Sequence, residues 1–178
     1  AAHCVFPKQK ARDYYIQLTQ KNGTIEYIKV VRTQAHEDYE TSKDLYADIA
    51  VLLVEKPLPS YVRKVRLPMP DQDLKLTNSR IAVGGYGKEI NTRAPRPNPA
   101  RLKHILRRVV SYNYLDNMFL VDQHDDQGVC NGDSGAVAYV IRDKKSYGVG
   151  MVSRTAHSVL EIPQDKSVCS GEIVFVNL

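Results

Sequence analysis

Ser134 is the residue in this sequence whose surroundings best suit chemistry. It lies in the run GVCNGDSGAV over residues 128–137, with Gly132 and Gly135 enclosing the Asp133-Ser134 pair and Cys130 four positions upstream. A serine hydroxyl is a weak nucleophile at its own pKa, so it needs a neighbouring base and donors for the charge that develops. Glycines on both sides let the backbone come close to a bound carbonyl and take conformations closed to other residues. Taken alone, the run is equally an ordinary polar turn. The chemical reading requires a histidine and a second carboxylate elsewhere.

Both are present. The chain opens AAHC, which puts His3 beside Cys4, and Asp48 stands in YADIAVLLV, directly ahead of an apolar run. The order His3, Asp48, Ser134, each in its own motif, resembles the trypsin-like (chymotrypsin-fold) serine proteases over essentially the whole chain. The resemblance implies an all-β protein built as a double six-stranded β-barrel. Residues 1–65 would form the first barrel, with His3 and Asp48 and without the family's amino-terminal strands. Residues 66–178 would form the second, with Ser134 and the substrate pocket, the two making one peptidase domain. The chain is accordingly expected to be a piece of a longer protein.

The roles implied follow the serine triad. Ser134 attacks a peptide carbonyl, His3 takes its proton and returns it to the leaving amine, and Asp48 orients His3 and stabilises the imidazolium. The backbone N–H groups of Gly132 and Ser134 form the oxyanion hole. The expected activity is that of a serine endopeptidase working through an acyl-enzyme, with polypeptide substrates and protein inhibitors as partners. The alternative is a protease homologue used as a regulatory or binding module. Such homologues usually lose a triad member, whereas all three are present here. A generic β-barrel binding domain with chance motifs is a more distant reading.

Asp133 carries a further implication. In the resembling family this aspartate pairs with an amino terminus released by activation cleavage, and no such terminus precedes His3 in this sequence. Removing one member of a buried ion pair costs about 3–5 kcal/mol. Asp133 is therefore expected to turn toward water, displace the Gly132 N–H and leave residues 1–178 without a working oxyanion hole.

The pocket follows from the same alignment. Gly128 stands at its base, where trypsin-type relatives hold an aspartate, and Val129 beside it is apolar. Ser153, Arg154 and Thr155 fall on the pocket-lining strand, with Arg154 where an aromatic is usual and Thr155 where glycine is common. The absence of a charge at the base predicts a preference for an uncharged apolar residue before the scissile bond. Glu172 keeps the alternative open, because a one-residue shift would place its carboxylate in the wall and favour basic substrates.

Three cysteines leave an odd one. The resemblance pairs Cys130 with Cys169 across the pocket and leaves Cys4 without its upstream partner; three buried free thiols are the other reading. Such a bridge and such a fold imply a secreted or extracytoplasmic protein.

The bulk properties agree with a single compact chain. It has 178 residues, a formal net charge of +5 and 43% hydrophobic residues. No apolar run is long enough to span a membrane, and nothing resembles a nucleic-acid fold. Because the chain begins without Met and inside a motif, it carries no information on targeting.

The pattern along the chain is β. Tyr14–Leu18 and Ile25–Val31 read as strands joined by an Asn22-Gly23 hairpin turn. Many relatives carry a calcium loop here, but this hairpin has no room for six or more oxygen ligands, so neither metal nor cofactor is expected. Ile49–Val54 is an apolar strand, ended by Pro57 and Pro59. Val62–Asp73 reads as an interdomain connection, and residues 81–87 as a strand with glycines flanking Tyr86. Residues 88–100, rich in proline, read as an exposed loop. Arg101–Val110 and Met118–Val121 are further strands. Arg93, Arg96, Arg101, Lys103, His104, Arg107 and Arg108 read as a solvated loop entering a strand with basic residues on its outer face. A polyanion-binding exosite is the lesser alternative.

Overall fold

The apolar and β-branched runs pair as antiparallel strands in two separate units, residues 1–64 and 65–178. The structure is a computed structural model. It describes residues 1–6, 10–41, 45–69, 74, 76–87, 102–113, 118–123, 128–156 and 172–178.

In the first unit, β1 (Tyr15–Thr19), β2 (Ile25–Ala35) and β3 (Ala50–Val54) form a three-stranded sheet in that order. The β1–β2 hairpin closes as expected at Asn22-Gly23. Gly23 takes φ +85°, the Gly23 N–H donates to the Gln20 carbonyl at 2.9 Å, and the Thr24 N–H donates to Asn22 Oδ1 at 3.0 Å. Glycine suits this position because a side chain disfavours positive φ. A small core of Ala2, Ala35, Tyr39 and Ala47, with Phe6 and Ala50 against it, gathers the first residues, the end of β2, the short helix α1 (Glu37–Thr41) and the start of β3. Phe6 meets Tyr39 edge to face at 6.3 Å between ring centres.

In the second unit, six strands close into a barrel. They are β4 (Arg80–Gly85), β5 (Lys103–Asn113), β6 (Met118–Asp122), β7 (Val137–Arg142), β8 (Lys145–Ala156) and β9 (Glu172–Asn177), in the order β4-β5-β6-β9-β8-β7, with β7 returning to β4. Closure removes the free sheet edges that invite aggregation. Ile81, Val83, Val109, Phe119, Val121, Val140, Val149, Val152, Ile173 and Phe175 fill the interior. Phe119 and Phe175 face each other across the β6–β9 pair and stack at 4.9 Å. Gly150 makes room for that stack, because a Cβ there would lie 2.5 Å from the Phe119 ring.

Two expectations need adjustment. Arg66 is no free connector residue: it forms a parallel bridge with Tyr147, and its carbonyl accepts the Gly148 N–H at 2.7 Å. In β5 the basic residues divide between the faces, with His104 and Arg108 exposed and Lys103 and Arg107 half-buried. The proline-rich stretch, with Arg93, Arg96 and Arg101, lies outside the described residues.

Candidate active site

In the first unit, small side chains set the surroundings of His3 and Asp48. Ala2 and Ala47, which immediately precede His3 and Asp48, are 0% and 1% exposed and share one core cluster. Their size lets two loops come together. One is a 3₁₀ turn over Ala2–Cys4, tied to the residue before β1 by the Tyr14 hydroxyl donating to the Cys4 carbonyl at 2.7 Å. The other is a 3₁₀ turn over Leu45–Ala47, after which the Ile49 carbonyl accepts the His36 N–H at 2.9 Å.

Asp48 is fully buried and receives His3 twice. The His3 backbone N–H donates to Oδ1 at 2.8 Å, and ring Nδ1 lies 2.7 Å from Oδ2. An ionised carboxylate only accepts, so the proton on Nδ1 belongs to the ring and Nε2 is the nitrogen available for other work. The hydrogen bond to Asp48 is the largest cause raising the His3 pKa from 6.5 to about 9; a second comes from the Cys4 thiol, and burial opposes both. The ring in turn draws the Cys4 thiol below its ordinary value. Cys4 is exposed and free.

In the second unit, Ser134 sits in a double turn carried by the barrel. The Asp133 N–H donates to the Cys130 carbonyl at 2.9 Å, and the Ala136 N–H donates to the Asp133 carbonyl at 2.8 Å. The third residues of these turns, Gly132 and Gly135, have φ +96° and +85°, as type II turns demand. This is why glycines enclose Asp133-Ser134. The Gly135 N–H donates to the Val152 carbonyl at 2.8 Å and the Val152 N–H to the Ala136 carbonyl at 2.9 Å, which fastens the Ser134 turn to β8.

Ser153, 2% exposed, is the extra residue of a bulge on that strand, since Val152 pairs with Phe175 and Arg154 with Val174. Bulges re-aim side chains at such points. Arg154 is exposed. Thr155 and Glu172 are placed by backbone register, opposite Ile173 and Ala156 respectively. Val129 is packed in the barrel core, 5% exposed. Cys169 lies outside the described residues.

Asp133 corrects the expectation that it faces water. It is 8% exposed, with Oδ1 accepting the Gly87 N–H at 2.6 Å and Oδ2 accepting the Cys130 N–H at 2.9 Å. Two charge-assisted bonds from backbone donors offset the cost of taking the carboxylate out of water. Gly85 and Gly87 allow the approach, since a Cβ on either would overlap the Asp133 carboxylate. The sequence held a signal for this in the glycines flanking Tyr86, but not their partner.

Two further contributors left no such mark. The Cys4 thiol is one, as a partner of the His3 ring. Gln123 is the other: buried at 1% exposure, its side chain pairs with both the N–H and the carbonyl of Val129. Among the described residues no His, Cys, Asp and Glu cluster could hold a metal ion, and no helix is long and apolar enough to cross a membrane.

The His3 titration has a definite sign. Its folded pKa lies above its unfolded value, so the pair with Asp48 stabilises the fold fully below about pH 6.5 and loses this contribution as pH rises through about 9. NMR titration of the ring should show a lower pKa in Cys4→Ala and a larger fall in Asp48→Asn, because Asp48 is the greater cause. An unchanged pKa in Cys4→Ala would mean that the thiol does not act on the ring.

His3 and Asp48 thus meet within one unit, while Asp133, Ser134 and Ser153 belong to the other. The family model described as Trypsin matches residues 1–160. No curated protein matches the chain. With that match covering most of the 178 residues, on top of a histidine paired with a buried aspartate and a closed β-barrel bearing the serine turn, this chain belongs to the trypsin family.

Proposed function

We propose that this protein is a serine endopeptidase in which His3, Asp48 and Ser134 act as one triad. The observation that carries the reading is the His3–Asp48 pair, a buried carboxylate 2.7 Å from ring Nδ1 that leaves Nε2 to serve as the base. Family members that have lost catalysis have no need to keep both this pair and an intact GDSG sequence.

In this reading Ser134 Oγ bonds to the peptide carbonyl carbon as Nε2 removes its proton, and the carbonyl oxygen becomes an oxyanion. The N–H groups of Gly132 and Ser134 receive that charge. The donors closing the two turns are those of Asp133 and Ala136, with Gly135 bonded to β8, so Gly132 and Ser134 lie outside this set. Their positions are held by Asp133, whose carboxylate is tied to Gly87 and Cys130. The protonated ring then gives its proton to the departing amine, and water releases the acyl group by the same path in reverse. Asp48 remains ionised throughout. Because the base must be neutral, turnover rises with pH through the His3 pKa.

The pocket is proposed to be lined by Gly128, Val129, Ser153, Arg154 and Thr155 and to favour an uncharged apolar residue before the scissile bond. A buried Lys or Arg head without a counter-charge would cost several kcal/mol. A double barrel, in which the sheet of the first unit is completed by further strands, and a secreted or extracytoplasmic location complete the reading. So does a Cys130–Cys169 bridge, supported by Cys4 being the free cysteine among the described residues.

Three experiments test these points. A serine-directed phosphonate should label the protein at Ser134, and Ser134→Ala should abolish both labelling and hydrolysis. Asp48→Asn should cost about 10⁴ in turnover, the loss this change causes in the serine triad through the wrong histidine tautomer. A protein that is not labelled, yet folded, is a non-catalytic homologue. A peptide-library profile dominated by Arg or Lys would overturn the apolar preference and bring Glu172 forward as the pocket acid. Peptide mapping without reduction should recover Cys130 and Cys169 linked; recovering both as free thiols rejects the bridge.

A further inference from the structure

Gln123 emerges from the barrel at a fixed point. It follows Asp122, the last residue of β6, which is paired with Glu172 of β9. A buried carboxamide must find partners for its polar atoms or lose more than its burial gains. Gln123 finds two of them on Val129. Its Nε2 donates to the Val129 carbonyl at 3.1 Å, and its Oε1 accepts the Val129 N–H at 3.0 Å. This imitates one rung of an antiparallel ladder. It also fixes the carboxamide orientation, since only the oxygen can receive that N–H.

The same side chain explains Gly128. Gly128 is not among the residues with positive φ, so its backbone would accept an ordinary residue. What forbids one is space. A Cβ at 128 would overlap Oε1 and Cδ of Gln123 and lie 2.8 Å from its Cβ. The oxygen cannot swing aside without giving up the Val129 N–H, and the Gln123 Cβ is fixed by the strand end. Val129 itself is held from the other side by its side chain in the barrel core.

We infer that Gln123 is a positioning residue for substrate specificity: its carboxamide clamps residues 128–129 and occupies the space any side chain at 128 would need, so the pocket floor is built without a charge. The inference rests on Gly128 being that floor, as proposed above. It goes beyond the uncharged floor by naming what keeps it so. A change at position 128 alone cannot install an acid, because the residue that excludes it comes from the end of another strand.

The test compares the parent protein with Gln123→Ala, Gly128→Asp and the double variant on fluorogenic peptides carrying Ala, Leu or Arg before the scissile bond. In Gln123→Ala the loosened floor should raise KM for the Leu peptide about tenfold with kcat little changed. The Ala peptide, which reaches less deeply, should be nearly unaffected. Gly128→Asp alone should damage Leu cleavage without gaining Arg cleavage. The double variant should cleave the Arg peptide, with an Arg-to-Leu ratio about 100-fold above either single change, as coupled neighbours require. If Gly128→Asp alone cleaves the Arg peptide as well as the double variant does, Gln123 does not fill the site and the inference is overturned.

Hydrogen exchange supplies a readout that needs no catalysis. In Gln123→Met, which keeps the bulk but not the bonds, the Val129 amide should exchange about tenfold faster or more while Val83 and Val140 in the barrel stay protected. Unchanged protection of Val129 overturns the clamp. If no peptide is cleaved and Ser134 is not labelled, it is the peptidase reading that fails, and the exchange result still decides for or against the clamp.

Discussion

A carboxylate removed from water must be met by hydrogen-bond donors, and two such carboxylates shape this protein. Asp48 and Asp133 are 0% and 8% exposed. Asp48 draws the backbone N–H and ring of His3, and Asp133 draws the backbone N–H groups of Gly87 and Cys130. In each case a short polar side chain binds a segment 45 or 46 residues away in sequence. The desolvation cost is large enough that these bonds select the loop conformations around them, rather than decorating loops already formed.

Small residues are the counterpart of that constraint. Ala2 and Ala47 let the His3 and Asp48 turns touch. Gly85 and Gly87 let β4 and the residues after it reach the Asp133 carboxylate, where a Cβ would overlap it. Gly132 and Gly135 serve differently, through positive φ at the third position of two consecutive turns. The site is therefore defined as much by missing side chains as by present ones. Substitutions at these positions would disturb the His3–Asp48 pair or the Ser134 turn through their surroundings.

The barrel supplies rigidity to the Ser134 turn. Gly135 and Ala136, which follow Ser134 in its turn, are both bonded to Val152, and the adjoining bulge buries Ser153. Gln123 ties the 128–129 segment to the end of β6. The serine turn and the 128–129 segment thus hang from strands whose register is set by a packed interior, including the Phe119–Phe175 stack. Sites held by paired strands are more precise than sites on free loops.

The sequence by itself marked the first six strands, β1 to β6, the Asn22-Gly23 hairpin turn and the candidate chemical residues, but not β7 or β9. Alternation, turn residues and the AAHC, YADIAVLLV and GDSG motifs are local signals, and local signals survive in a linear string. It was silent on whatever depends on residues distant in sequence. Arg66 reads as part of a connection yet bridges to Tyr147, and Lys103 and Arg107 read as outer-face charges yet are half-buried. Asp133 was expected in water because its known type of partner is an amine; the tertiary structure instead supplies backbone N–H groups, which every residue but proline possesses and no sequence pattern marks. Gln123 is the extreme case. A lone glutamine at a strand end carries no signature, and only the closed barrel brings its carboxamide against Val129 and leaves no room for a side chain at Gly128.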